Sequence, residues 1–218
     1  MGPCSTARVR GWRRGTFLAA ALAATALGAA AAQAQLQAVG TAKNAVGVLV
    51  VTRTDGRSVR LQGKGSLDLF EGDKLETGEK AQAIIELKDG TQIALNERTT
   101  FVVLSRQPRG GGIIRVLDLL LGEIWVQTRP GPPAPLEVTT PVATAAIRST
   151  EFNIKIVSIE KVELVVVQGI VEFGTPFGTC PIRTGTFSVG ERGKRCTRPD
   201  PNVDVQQAIA WTTALRQP

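Results

Sequence analysis

The sequence predicts an all-β fold, a two-layer β-sandwich or β-roll of repeated hairpins that ends in a short C-terminal helix. Short β-branched segments recur along the chain, Asp-Gly turns separate two pairs of them, and the pattern of the first pair returns 34 residues later. The length of 218 residues and the apolar content of 43% suit one domain of ordinary size once a targeting segment is subtracted.

The first 34 residues have the pattern of a secretory signal peptide. Four Arg residues precede an uncharged run, residues 15–32, that is rich in Ala and Leu. Small residues end the run, and we expect cleavage between Ala34 and Gln35. The alternative is an uncleaved membrane anchor, because the run approaches the length of a spanning helix. The many weakly apolar Ala residues and the cleavage site favour removal.

Composition argues against most enzymatic and nucleic-acid-binding functions. The sequence contains no His and no Tyr, so the commonest general acid/base and the commonest neutral metal ligand are absent. We therefore predict no enzyme activity, no catalytic residue, no metal site and no cofactor. Without residues 1–34 the chain has 22 basic and 19 acidic side chains, a net charge of +3 that offers little attraction for nucleic acid.

Paired carboxylates remain as a route to catalysis, because two of them can hydrolyse a glycoside without His. The candidate pairs are Glu71 with Asp73 and Glu76 with Glu79. Both lie in turn-rich polar segments, where Asp and Glu are expected for solvation and turn formation. We therefore interpret both pairs as structural.

Two segments predict hairpins of one design. In residues 46–61 a β-branched stretch is followed by Asp55-Gly56 and then by alternating apolar residues, and residues 84–95 repeat this order around Asp89-Gly90. Asp-Gly is a strong hairpin signal because both residues tolerate positive φ. The equal spacing predicts that the two turns lie at equivalent hairpin tips.

A second pair of related hairpins is predicted at Gly122 and Gly169. Each glycine follows an apolar run, residues 116–121 and 162–167, and precedes an alternating segment. We therefore expect a buried strand to enter a glycine turn at both positions.

The C-terminus carries the predicted helix. Asp204 is a suitable N-cap, and Gln207 stands three residues later at the capping-box position. Four residues of this segment share one helical face: Val205, Ala208, Ile209 and Thr212. We expect this face to pack on the sheet.

Two cysteines, Cys180 and Cys196, remain after the signal peptide is removed. Disulfides persist in exported proteins, so we predict one bridge between them. The alternative, two free thiols, needs a reducing compartment, which the signal peptide argues against.

Four segments resemble a known family in their order and spacing: residues 71–78, 83–95, 138–152 and 168–173. They are similar to the FecR-type domain, the periplasmic part of ferric-citrate-type transport regulators. The resemblance spans about residues 46–192, which leaves residues 193–218 as a C-terminal extension with the short helix. It implies an exported module for protein recognition in the periplasm or cell envelope.

The chain departs from the family pattern in two ways. The family usually has Gly at the position of Ser149, and Ser restricts the positive φ and close backbone approach that Gly allows. Family regulators also carry an N-terminal cytoplasmic segment that contacts a sigma factor, whereas 14 residues precede the apolar run here. The resemblance therefore does not imply a sigma-regulating role.

Arg148 is the candidate interaction residue, because it is the most suggestive charge in the strongest motif. An ion pair with Glu151 or a hydrogen bond to a backbone carbonyl accounts for this arginine equally well.

We expect a non-enzymatic protein-interaction or scaffolding module, periplasmic or secreted, with an unknown envelope protein as partner and no membrane span after signal cleavage. The alternative is a glycan or cell-wall binding module, which would use aromatic platforms. Trp125 lies in a strand-like run and Trp211 on the predicted helix, so we expect both in the core. Protein binding through edge strands or loops needs no such platform.

Overall fold

The computed structural model describes residues 37–106, 112, 114–129 and 135–216, without the side chains of Asn44, Arg148 and Arg216. The predicted cleavage site at Ala34 and Gln35 lies outside the described residues. The strands are β1 (Gly40–Thr52), β2 (Ser58–Leu69), β3 (Lys74–Thr77), β4 (Gln82–Leu87), β5 (Gln92–Leu95), β6 (Thr100–Arg106), β7 (Ile114–Leu121), β8 (Glu123–Gln127), β9 (Leu136–Thr139), β10 (Thr144–Ser158), β11 (Lys161–Thr175), β12 (Gly178–Arg183) and β13 (Thr186–Glu191).

Two long hairpins join the layers of a β-roll. β1 pairs with β2 along its length, while its first half also pairs with β4 and its second half with β3. β10 pairs with β11, while its first half also pairs with β9 and its second half with β8. β1 and β10 therefore cross between layers, with β3, β6, β7 and β9 in one layer and β4, β5 and β8 in the other. The predicted all-β, two-layer class is confirmed.

The main core lies between the two layers. Alternate residues of the strands point inward, and β4 shows this directly, with Ala83, Ile85 and Leu87 buried between half-exposed neighbours. The largest side chains of this core come from both layers: Phe101, Phe152, Phe173, Leu49 and Leu117. Burial of each such side chain contributes about 1.5–3 kcal/mol.

Both Asp-Gly turns lie where the sequence predicts them, between β1 and β2 and between β4 and β5. Gly56 and Gly90 have φ of 84° and 83°. In each turn the aspartate Oδ1 accepts a hydrogen bond from the backbone N–H two residues later, at 3.0 Å and 2.8 Å. The two hairpin tips are therefore built in the same way, although the first hairpin extends beyond the predicted residues 46–61 at both ends.

The hairpins predicted at Gly122 and Gly169 are wrong. Gly122 connects β7 to β8, which lie in different layers and do not pair. Gly169 lies inside β11, which bends there as its outer partner changes from β13 to β12. Both glycines have positive φ, 91° and 94°. Positive φ serves a strand corner as well as a tight turn, so the local sequence does not distinguish the two.

The C-terminal helix is confirmed and has three parts: α1 (Val205–Ile209), a 3₁₀ turn (Ala210–Thr212) and α2 (Thr213–Arg216). Asp204 caps it, because its Oδ1 accepts the N–H of Gln207 at 2.9 Å. The helix packs on Ala94 and Trp125 of the layer that contains β5 and β8. No helix among the described residues is both long and apolar enough to cross a bilayer.

The predicted disulfide joins Cys180 of β12 to Cys196, with a Cα–Cα distance of 6.2 Å. The segment after Cys196 is also held by a β-bridge between Phe187 and Asp200. The chain is therefore fixed to the roll until shortly before the helix begins.

Candidate functional site

The carboxylates that could form catalytic pairs do not converge. Asp73 is buried, accepts the N–H of Phe70 at 2.7 Å and forms an ion pair with Arg53. Glu76 and Glu79 form separate surface ion pairs. Within the described part of the chain, no group of three or more His, Cys, Asp or Glu residues is placed to hold a metal ion.

Three corners of the roll repeat one arrangement, and the motif that contains Arg148 forms one of them. At each corner a non-glycine residue with φ of 50–54° faces a positive-φ glycine from a distant part of the sequence. A Cβ on that glycine would lie 2.8–3.3 Å from the partner's carbonyl oxygen, which explains the need for Gly. The pairs are Lys80 with Gly47, Arg98 with Gly122, and Ser149 with Gly169.

The backbone of Arg148 lies between two surface cavities. Ser149 and Thr150 line the first, of about 420 Å³, and Ile147 and Ile170 line the second, of about 670 Å³. The side chain of Arg148 lies outside the described residues, so its role in interaction stays a prediction.

A polar row in register across four strands lines the first cavity. Across β5, β8, β10 and β11, each residue stands directly opposite the next. The row consists of Gln92, Gln127, Glu151 and Gln168. Glu151 accepts hydrogen bonds from Nε1 of Trp125 at 3.0 Å and from Nε2 of Gln127 at 3.4 Å. Sequence reasoning missed this row because strand register, not a fixed spacing in the sequence, brings its members together.

A third cavity, of about 510 Å³, adjoins the first, because Gly90 and Arg129 line both. Within it, Nζ of Lys43 donates to Glu86 at 2.6 Å. This hydrogen bond and the ammonium charge lower the pKa of Glu86 below its ordinary value of 4.5.

An exposed aliphatic patch, here the apolar tip, lies at one end of the roll. Its members are 45–72% exposed: Leu120, Leu121, Val157 and Ile159. Register irregularities occur next to these residues in both β7 and β10. The N–H of Ile156 donates to the carbonyl of Gly122 at 2.8 Å, which places the two irregular segments side by side. Large aliphatic side chains exposed on neighbouring segments are a feature of contact sites.

The apolar tip was also missed by sequence reasoning, which assigned residues 116–121 to a buried strand. Leu117 and Leu119 are buried as that pattern predicts. Leu120 is exposed as alternation requires, and Leu121 is exposed as well, because Leu120 is an extra residue opposite Thr100–Phe101 and breaks the alternation at the end of β7.

The tryptophans do not form an exposed platform. Trp125 is fully buried and Trp211 is partly buried, both in the cluster beneath the C-terminal helix. Phe177 is the exposed aromatic side chain of the described residues, at 60%. These two tryptophans therefore do not supply the exposed aromatic platform that a glycan-binding module would use.

Comparison with known proteins identifies one family and one fold. Residues 73–172 match the family described as FecR protein. Two crystal structures of a candidate anti-sigma factor from Parabacteroides distasonis, at 1.65 Å and 2.50 Å resolution, have similar folds. Each is 22% identical to this chain with a TM-score of 0.52, and the similarity covers 63% of this chain and 63% of the relative. No curated protein matches the sequence.

Proposed function

Because residues 73–172 form a FecR domain, we propose that this chain is an exported, non-enzymatic module that binds another protein in the cell envelope. The apolar tip is the observation that carries the proposal. Its four aliphatic side chains lie within the matched residues and are exposed to water, which costs free energy unless a partner covers them.

The surroundings of the apolar tip also support a protein contact. Lys155 and Lys161 flank its turn, paired with Glu123 at 3.9 Å and with Glu163 at 2.9 Å. An apolar centre with a charged, solvated rim is the usual anatomy of a protein interface. Full burial of one aliphatic side chain contributes about 1.5–3 kcal/mol, so a few of them suffice for a binding hot spot.

Crosslinking pull-down from envelope extract tests the proposal. The full chain is compared with a Leu121→Asp, Val157→Asp variant and with the control Val59→Asp, whose side chain is 38% exposed on β2. We expect the wild type and the control to retain one common protein and the apolar-tip variant to lose it, with unchanged circular dichroism. Retention by the apolar-tip variant would reject the surface, and no capture by any of the three would reject the function.

The proposal includes export, with residues 1–34 as a signal peptide, residues 46–192 as the domain and residues 193–218 as an extension. Mass spectrometry of the envelope fraction should find a chain that begins at Gln35. An intact chain beginning at Met1 in the membrane fraction would show that the segment is retained as an anchor.

Glycan binding is a second candidate function, favoured by the polar row. Its amides and carboxylate, together with Arg129, supply the donors and acceptors that sugar hydroxyls need. Calorimetric titration with cell-wall oligosaccharides tests it, with Gln127→Ala against Gln62→Ala, an exposed glutamine of β2. Binding heat that Gln127→Ala loses and Gln62→Ala retains would support glycan binding. Absence of binding heat with the wild type would exclude it.

A further inference from the structure

The face beneath the C-terminal helix belongs to the outside of the roll. Ile93, Leu95, Ile124 and Val126 point into the main core, so Ala94 and Trp125 between them point outward. Ala94 and Trp125 are nevertheless fully buried, in a separate cluster with Ile209 and Leu215. The C-terminal segment therefore provides the cover of this face.

Polar groups border this face on both sides. On one side Glu151 accepts from Nε1 of Trp125. On the other side Glu123 accepts from Asn153 at 2.8 Å and from Asn96 at 2.9 Å. An apolar stripe between polar borders is what the apolar face of an amphipathic helix recognises. We call this stripe, formed by Ala94, Trp125 and Val167, the covered groove.

The chain's own helix fits the covered groove imperfectly. It spans Val205–Arg216 in three short parts, and helices of this length are marginal without packing. Nε1 of Trp211 on the helix and Oδ1 of Asn153 at the groove are buried without a hydrogen-bond partner among the described residues. Each buried atom without a hydrogen bond reduces the stability of the helix in the groove, and a helix that paired these atoms would bind the groove more tightly.

The C-terminal helix can separate from the covered groove while the chain that precedes it stays attached to the roll. The disulfide at Cys196 and the backbone bonds between Phe187 and Asp200, at 2.9 Å and 3.0 Å, fix the preceding chain to the roll. The helix cap follows at Asp204, so residues 201–204 are the point at which the segment can swing out.

We propose that the covered groove is a protein-binding surface for an amphipathic helix of a partner, and that the C-terminal helix occupies it until the partner displaces it. The partner helix presents side chains at the spacing of Ile209, Thr212 and Leu215, the buried positions of the chain's own helix. It carries a hydrogen-bond donor for Oδ1 of Asn153, the unpaired buried acceptor at the groove among the described residues. This inference rests on the proposed protein-binding function and adds a second surface to the apolar tip.

The test uses the full chain and a fluorescent synthetic peptide with the sequence of residues 204–216 as the probe. An Ile209→Asp, Leu215→Asp variant releases the helix, and Gln206→Asp, Ala214→Asp places the same charges on its exposed face. We expect the released variant to bind the peptide at least about ten-fold more tightly than the wild type or the control, because the cis helix no longer competes. Residues 205–216 of the released variant should also lose protection from hydrogen exchange.

A peptide carrying the Ile209→Asp change should not bind, and the unchanged peptide should compete with any envelope protein captured by the released variant. A folded released variant that does not bind the peptide would overturn the inference. If that variant unfolds, the milder Ile209→Ser variant takes its place, and unfolding there would show that the helix is an integral part of the roll. Failure of the protein-binding function is a separate result, since the peptide assay needs no envelope partner.

Discussion

Thr150 donates its backbone N–H to Oγ1 of Thr128 at 2.7 Å, and Thr99 makes the same bond to Thr77 at 2.9 Å. In both pairs the reverse backbone bond also forms, at 3.0 Å. The members of each pair are 22 residues apart, and a positive-φ residue directly precedes the second threonine. The same threonine-held corner therefore occurs twice in the roll, once between β3 and β6 and once between β8 and β10.

The corner at Ser149 predicts a stabilising substitution. Ser149 has φ of 50°, a conformation that costs a non-glycine residue about 1–2 kcal/mol. Gly loses about 0.5–1 kcal/mol more backbone entropy on folding, so Ser149→Gly should raise the free energy of unfolding by up to about 1.5 kcal/mol. Urea denaturation measures the change. Ser66→Gly on β2, where φ is negative, should be destabilising, and a loss of stability in both variants would contradict the prediction.

At the corner formed by Arg98 and Gly122, substitution of the glycine is predicted to destabilise the roll. A Cβ at Gly122 would lie 2.4 Å from Oγ1 and 2.5 Å from Cα of Thr99. Gly122→Ala should therefore destabilise the roll by about 3–5 kcal/mol, from the clash and the positive φ together. Gly63→Ala is the control, because Gly63 has φ of 72° but open space around it. Thermal unfolding should separate the two variants, and equal losses would show that the clash is unimportant.

Local features were predictable from the sequence because the residues involved set the geometry themselves. Asp-Gly makes its own turn, and the carboxylate of Asp204 caps the helix that follows it. Gly122 and Gly169 were misassigned because the pairing of distant strands, not the local sequence, decides whether a positive-φ glycine ends a strand or bends it.

The candidate surfaces also divide into features that the local sequence predicts and features that depend on the pairing of distant strands. Sequence analysis identified the motif around Arg148 and Ser149, and the structure places that motif at a corner between two cavities. The polar row and the apolar tip were not found, since strand register creates the first and bulges create the second.

The buried pair of Asp73 and Arg53 is predicted to be structural. Asp73 is 1% exposed, and the guanidinium of Arg53 also stacks on Phe70, 4.9 Å from the ring centre. Asp73→Asn removes the charge and leaves Arg53 unpaired in a largely buried position, which should cost about 3 kcal/mol. Asp55→Asn keeps its turn acceptor on the surface and should change the urea midpoint little. Equal losses of stability in Asp73→Asn and Asp55→Asn would contradict a structural role for the buried ion pair.

The disulfide should contribute measurably to stability. Cys180 and Cys196 are separated by 16 residues, and closing a loop of this size in the unfolded chain is worth about 3 kcal/mol. Reduction should therefore lower the free energy of unfolding by about that amount. A Cys180→Ser, Cys196→Ser variant should match the reduced protein and not respond to reductant. Unchanged denaturation of the wild type after confirmed reduction would show that other contacts hold this segment.

The Lys43–Glu86 pair predicts a pH-dependent contribution to stability. The hydrogen bond from Lys43 holds the pKa of Glu86 below its ordinary 4.5, so the folded state favours the carboxylate. This stabilisation is present above pH 4.5 and is lost as the pH falls through the lowered pKa. Both side chains are partly exposed, so Lys43→Met should cost less than about 1 kcal/mol near pH 7 and a smaller amount near pH 3. Urea denaturation at both pH values measures the difference, with Lys88→Met of the same cavity as the control. A Lys43→Met effect of equal size at both pH values would mean that the lysine stabilises the roll through packing and not through Glu86.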